Sequence, residues 1–161
     1  IPYRLGAMPP RTSVLFVCLG NICRSPMAEG IFLRLVADRG ILDQFEIASA
    51  GTAAYHTGES PDRRTLEVLE RHGLRLDSRA RKVSDEDFER FDYILAMDHA
   101  NLADLKRRCP AAHQHKLHLA LETTTGGDVP DPYYGGPTGF DHNYAQLAAA
   151  LDVWLERMNA A

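Results

Sequence analysis

The order of segments along the chain predicts an α/β fold, a parallel sheet covered by helices on both faces, and three observations carry that prediction. Apolar runs alternate with amphipathic stretches of helical period, the order that builds parallel strands joined by crossover helices. The first run, Val14-Leu15-Phe16-Val17, has the composition of a buried strand. It leads directly into Cys18-Leu19-Gly20-Asn21-Ile22-Cys23-Arg24-Ser25-Pro26, where the strand pattern gives way to a helical one. A tight loop therefore stands at the C-terminal end of a strand, where folds of this class bind ligands.

The remaining elements follow in order. Ser25 is expected to cap the first helix, with Pro26 at its first position, and Met27, Ala28, Ile31, Phe32, Leu35 and Val36 recur at helical spacing until Arg39-Gly40. Residues 45–50 read as a short strand ended by Gly51. Ser60-Pro61-Asp62 opens a second helix with Ser60 as cap, a Pro and an acid in place, and His72-Gly73 stops it, with His72 as a cation at its C-terminus. Ser84 and Asp87 resemble a capping arrangement for a short helix, and residues 91–97 form the next strand. Asp98 caps a helix through Leu102 and Leu105, which Cys109-Pro110 breaks. Residues 116–121 complete the strands, and residues 123–139 form a Gly- and Pro-rich loop of a length that is usually functional. Phe140, Tyr144, Leu147, Leu151, Trp154 and Met158 then step by four and three, marking an amphipathic closing helix.

The loop from Cys18 to Ser25 has the makings of an anion site. Backbone N–H groups at a helix N-terminus converge on one point, and the helix dipole adds positive charge there. A thiol in that position, beside a guanidinium, is expected to fall from ~8.5 into the ~3.5–7.5 range and act as a thiolate. Arg24 can donate two parallel hydrogen bonds to a phosphoryl group, and Ser25 can donate to the Cys18 sulfur when it departs. Gly20 and Asn21 tolerate the positive φ that such loops need. The plainer alternative, a structural cysteine before an ordinary turn, explains neither the arginine nor the serine.

Val17-Cys18-Leu19-Gly20-Asn21-Ile22-Cys23-Arg24-Ser25-Pro26-Met27-Ala28-Glu29 resembles the signature of the low-molecular-weight protein tyrosine phosphatases, and the resemblance runs from Ser13 through nearly the whole chain. It implies a single domain over residues 13–161 with a four-stranded parallel sheet and the phosphate-binding loop after the first strand. Residues 1–12 are set aside as a tail, with Met8 as a candidate first residue and Gly6-Ala7 as a cloning scar. The implied reaction is hydrolysis of phosphotyrosine in proteins through a phosphocysteine. Cys18 would be the nucleophile, Arg24 and the amides of Leu19, Gly20, Asn21, Ile22, Cys23 and Ser25 would hold the phosphoryl oxygens, and phosphate-like oxyanions would inhibit.

Such a reaction needs an acid for the leaving oxygen. Asp131-Pro132-Tyr133-Tyr134 matches the family's Asp-Pro-Tyr segment, and Pro132 biases Asp131 toward an extended conformation that would hold its carboxyl out from the chain. Tyr55, Tyr133 and Tyr134 would wall a cleft for an aromatic ring. Asn21, Ser25 and Ser49 would brace the loop, and Ser78 stands where many members of the family have a histidine. Asp98, in a matching Met-Asp-x-x-Asn context, is placed either near the acid or at a helix cap. Cys23 would form a reversible disulfide with Cys18 that guards the nucleophile from over-oxidation.

Composition narrows the alternatives. The chain has 161 residues, 45% hydrophobic and 25% charged, as a soluble globular domain would have. A formal charge of −4 argues against nucleic acid as a partner. No apolar stretch is long enough for a membrane span, and three cysteines do not make a disulfide framework, so a reducing cytoplasm is expected. Oligomeric state is left open. No metal or other cofactor is expected, since His113 and His115 would share a strand face that His118 opposes. An arsenate reductase would need relay cysteines that residues 74–108 lack, and a silent phosphotyrosine-binding module would be expected to lack one of Cys18, Arg24 and Asp131.

Overall fold

The polar start of the first strand shows how the sheet is anchored at its lower end. Ser13 N–H donates to Asp92 Oδ2 at 2.9 Å and the Ser13 hydroxyl lies 3.1 Å from both Asp92 Oδ2 and the Arg90 carbonyl, so a buried polar residue enters the core fully partnered. The computed structural model describes residues 11–133, 135–136 and 138–160. Strands β1 (Thr12–Cys18), β2 (Phe45–Gly51), β3 (Tyr93–Ala96) and β4 (Leu117–Leu119) form one sheet in the order β2-β1-β3-β4, every pair parallel. The α/β architecture expected from the sequence is thus the one observed. β1 starts at Thr12, inside the stretch assigned to the tail.

Among the described residues five α-helices connect and cover the strands: α1 (Arg24–Asp38), α2 (Arg63–Arg71), α3 (Asp85–Arg90), α4 (His99–Arg108) and α5 (Thr138–Ala160). Strand alternation in β1 divides the core between the two faces. Val14, Phe16 and Cys18 pack with apolar residues of α1, α2 and α5, whereas Leu15 and Val17 pack with Phe88, Phe91 and Leu105 around α3 and α4. Phe16, Phe32 and Phe45 meet edge to face with centroids 5.7 Å apart, joining β1 to α1 and β2. The chain steps from β1 to β2 on one side and later to β3 on the other. The crevice above β1 and β3 is therefore the switch point where this class of fold places ligands.

Three local expectations are corrected. Cys23, not Ser25, is the N-cap of α1, because the helix begins at Arg24, and Asp62 rather than Ser60 caps α2 by accepting from Arg64 N–H at 2.8 Å. β4 is three residues long between two 3₁₀ turns, Ala111–Lys116 and Ala120–Thr123. His113 and His115 accordingly lie in a turn, so the strand-face reading of these histidines does not hold. His72 caps α2, and its ring stacks on Tyr144 at 3.8 Å. No helix among the described residues is long and apolar enough to cross a membrane.

Candidate active site

Asn21 is the residue on which the loop turns. Its φ of 58° lies in the left-handed region, where its short amide side chain is tolerated and can bond locally. That turn directs Asn21 N–H at Cys18 Sγ, 3.3 Å away, while Asn21 Nδ2 donates to Ser25 Oγ at 2.8 Å and to Ser49 Oγ at 2.9 Å. Asn21 Oδ1 accepts from Arg81 N–H at 3.0 Å, so every polar atom of the side chain is used. Ser25 Oγ sits 3.1 Å from Cys18 Sγ and 3.4 Å from the Ala50 carbonyl. Either atom of the Ser25 Oγ–Cys18 Sγ pair can carry the proton, and with the sulfur as a thiolate the hydroxyl is the donor. In that state two donors converge on Cys18, itself buried at the mouth of α1.

A glycine in the neighbouring strand makes room for this. A Cβ on Gly51 would stand 2.7 Å from the Leu19 carbonyl oxygen and 3.2 Å from Asn21 N. The carbonyls of Cys18 and Leu19 in turn accept from Thr52 and Ala53 N–H at 2.9 and 3.0 Å, which ties the loop's entry to the end of β2.

The bracing network runs one residue further than the sequence suggested. Ser49 Oγ donates to Glu29 Oε1 at 2.5 Å, and Ser78 Oγ reaches the same oxygen at 3.3 Å. Glu29 and Arg81 were missed. Glu29 could have been found, since it lies one helical turn beyond Ser25 on the same face of α1; Arg81 joins through its backbone and leaves no such signal. Burial pushes the Glu29 carboxyl upward, against the Ser49 and Ser78 hydroxyls and the Arg81 charge, which pull it down. A raised carboxyl stabilises the fold when protonated, and that contribution is lost as pH rises through its shifted range. Glu29→Gln should therefore melt with the parent near about pH 4 and about 2–4 °C above it at pH 8, as read by thermal unfolding at both values. A lower melting point at pH 8 would mean the carboxylate is net stabilising.

Arg24 is buried and held on two sides. Its Nη1 donates to Asp98 Oδ2 at 2.6 Å and to the Val129 carbonyl at 3.0 Å, and Nη2 lies 3.8 Å from Asp131 Oδ2. Burial opposes its charge, but Cys18, Asp98 and Asp131 outweigh that and hold it above the ordinary guanidinium range. Asp98 takes the cap role, its Oδ1 accepting Asn101 N–H at 2.7 Å at the start of α4, while its Oδ2 is bound by the arginine that also faces Asp131. Cys23 is pushed up to about 12 by burial, with Asp62, Cys18 and Asp131 adding to the rise, so its thiol stays protonated at neutral pH.

Asp131 faces the same cleft, 44% exposed at the side chain. Its carboxyl does not simply project from the chain: Oδ1 accepts Tyr133 N–H at 3.0 Å in an Asx turn, leaving Oδ2 toward Arg24. The structure brings Tyr55 and Tyr133 to the cleft rim, where Tyr55 is 74% exposed. Tyr134 lies outside the described residues. His56 was not singled out from the sequence, yet its ring closes over Gly20, with Cδ2 2.9 Å from where a Cβ would stand, and its Nδ1 is 3.1 Å from Glu59 Oε2. Among the described residues no group of three or more His, Cys, Asp or Glu is arranged to hold a metal ion.

A buried thiol and guanidinium in one anion-binding loop, at the switch point of a parallel sheet and facing a carboxyl group, define a narrow class of α/β protein. The chain belongs to the low molecular weight phosphotyrosine protein phosphatase family, whose model matches residues 13–161. It is 49% identical over 144 residues to the low molecular weight phosphotyrosine protein phosphatase of Schizosaccharomyces pombe, covering 87% of this chain and 92% of that one. A protein tyrosine phosphatase from Entamoeba histolytica superposes with a TM-score of 0.90 at 38% identity, covering 92% of this chain and 97% of that one. A Drosophila arginine phosphatase shares the fold with a TM-score of 0.84 at 35% identity, over 90% of this chain and 96% of that one.

Proposed function

We propose that this protein hydrolyses phosphotyrosine in proteins by two displacements at phosphorus, with no metal. The observation that carries the reading is that one cleft holds the Cys18 thiol, the Arg24 guanidinium and the Asp131 carboxyl. In the first step the Cys18 thiolate attacks in line, Arg24 and the amides of residues 19–25 hold the equatorial oxygens, and protonated Asp131 donates to the phenolic oxygen. In the second, ionised Asp131 takes a proton from water, which attacks the phosphocysteine. Phosphate leaves, and Ser25 O–H stabilises the thiolate that departs.

The rim aromatics Tyr55 and Tyr133 support an aryl ester as substrate, and phosphate-like oxyanions should compete for the same loop. Under peroxide, Cys23 would condense with a Cys18 sulfenic acid to form the disulfide, releasing water. The three unpaired thiols suit a reducing, cytoplasmic setting. The arginine phosphatase relative sets the competing substrate. Rates on a phosphotyrosyl peptide, a phosphoarginyl peptide of the same sequence and thiol-coupled arsenate reduction distinguish the readings. We expect kcat/KM for phosphotyrosine to exceed that for phosphoarginine by at least about 10²-fold, with no arsenate turnover. A preference for phosphoarginine would overturn the tyrosine assignment.

A further inference from the structure

We propose that Arg64 is a positioning residue that sets where the Asp131 carboxyl stands above the phosphate loop; the proposal rests on Asp131 being the acid. The first turn of α2 grips the loop directly. Asp62 N–H donates to the Ile22 carbonyl at 2.7 Å and Thr65 Oγ1 donates to the Cys23 carbonyl at 3.1 Å, so these residues move with the nucleophile's loop. Between them on the chain, Arg64 turns the other way. Its Nε and Nη2 bind Asp62 Oδ1 and Oδ2 at 3.0 and 2.9 Å, which locks the plane of the guanidinium and leaves Nη1 to donate to the Tyr133 carbonyl at 3.2 Å. The same group lies over the rings of Tyr133 and Phe140, 5.3 and 4.6 Å from their centroids.

Tyr133 is the residue whose N–H holds Asp131 Oδ1. A shift of Tyr133 therefore carries the carboxyl with it. The upstream end of the acid segment is fixed separately: Arg24 holds the Val129 carbonyl, Val129 N–H donates to the Met97 carbonyl at 2.8 Å, and Asn143 Nδ2 donates to the Pro130 carbonyl at 3.1 Å. Arg64 closes the downstream end onto the helix that grips the phosphate loop. The Arg64 guanidinium thus joins the spacing between nucleophile and acid to the helix that grips the loop, and an error of about 1 Å in such a spacing can cost about 10²-fold in rate.

The test measures kcat/KM for phenyl phosphate, whose leaving group needs the proton, and for p-nitrophenyl phosphate, which needs it far less. Arg64→Met, which keeps the apolar stem, should lower the first by about 10–100-fold and the second by under about 3-fold. Inhibition by inorganic phosphate should stay within about 2-fold, since the loop keeps its other ties. Arg64→Lys keeps a charge beside Asp62 but cannot span both partners, and should fall between the parent and Arg64→Met. Added to Asp131→Ala, either substitution should change nothing further. Equal losses on the two esters, or effects that multiply with Asp131→Ala, would overturn the role of Arg64. If Asp131→Ala itself shows no preference for the better leaving group, the acid assignment fails and takes this proposal with it.

Discussion

Cys18→Ser is expected to abolish turnover, with kcat on aryl phosphates reduced by at least about 10⁴-fold, the scale seen when a covalent nucleophile is removed. The rest of the loop should survive. A serine Oγ at position 18 can still accept from Asn21 N–H and bond Ser25 Oγ, the two groups now turned to Cys18 Sγ. Arg24 keeps Asp98 and the Val129 carbonyl, so the oxyanion site stays assembled and inorganic phosphate should bind with little change. What disappears is the weakly basic leaving group: an alkoxide is a poor departing atom where a thiolate is a good one. Rapid quenching of the parent with radiolabelled aryl phosphate should trap label on Cys18, and the serine variant should trap none. Turnover that persists in Cys18→Ser would exclude a phosphocysteine.

The second large effect belongs to Asp131. Replacing it with alanine should lower kcat/KM for phenyl phosphate by about 10²–10⁴-fold, the usual contribution of a placed proton donor, and should cost much less for p-nitrophenyl phosphate. The ratio of the two losses is the readout: equal losses on the two esters would assign the proton to another group. Because Asp131 is nearly half exposed and its other oxygen belongs to an Asx turn, the substitution is expected to disturb the fold little.

The parts of the site legible in the sequence were those whose meaning is local. Cys18, Arg24 and Ser25 lie within one loop whose ends are set by a buried strand and a helix start, so spacing alone placed them together. Asp131 was legible only through the resemblance to the family's Asp-Pro-Tyr segment, since Asp-Pro alone is a common turn, and the structure brings it to the same cleft. The Ser25 cap failed because the helix begins before it, at Arg24, which leaves the Ser25 hydroxyl inside the first turn to meet Asn21 Nδ2 and the Cys18 sulfur. Arg64 and Arg81 were not legible because their partners lie across the fold, Tyr133 far along the chain and Asn21 on another strand's loop. In each case the chemistry is an arginine or an amide, residue types too common on a surface to stand out by themselves.

Gly51 takes no part in chemistry, yet it fixes a tolerance for the reaction. The space between β2 and the Cys18 loop holds a hydrogen atom but not a methyl group. The amide that faces the sulfur is consequently positioned by how closely two backbones approach, to within a carbon's radius, and not by any side chain that could adapt. Variation along the rim can alter which phosphorylated partner enters. The distance between those two backbones leaves no comparable latitude, so the site combines an adjustable mouth with a floor of fixed gauge.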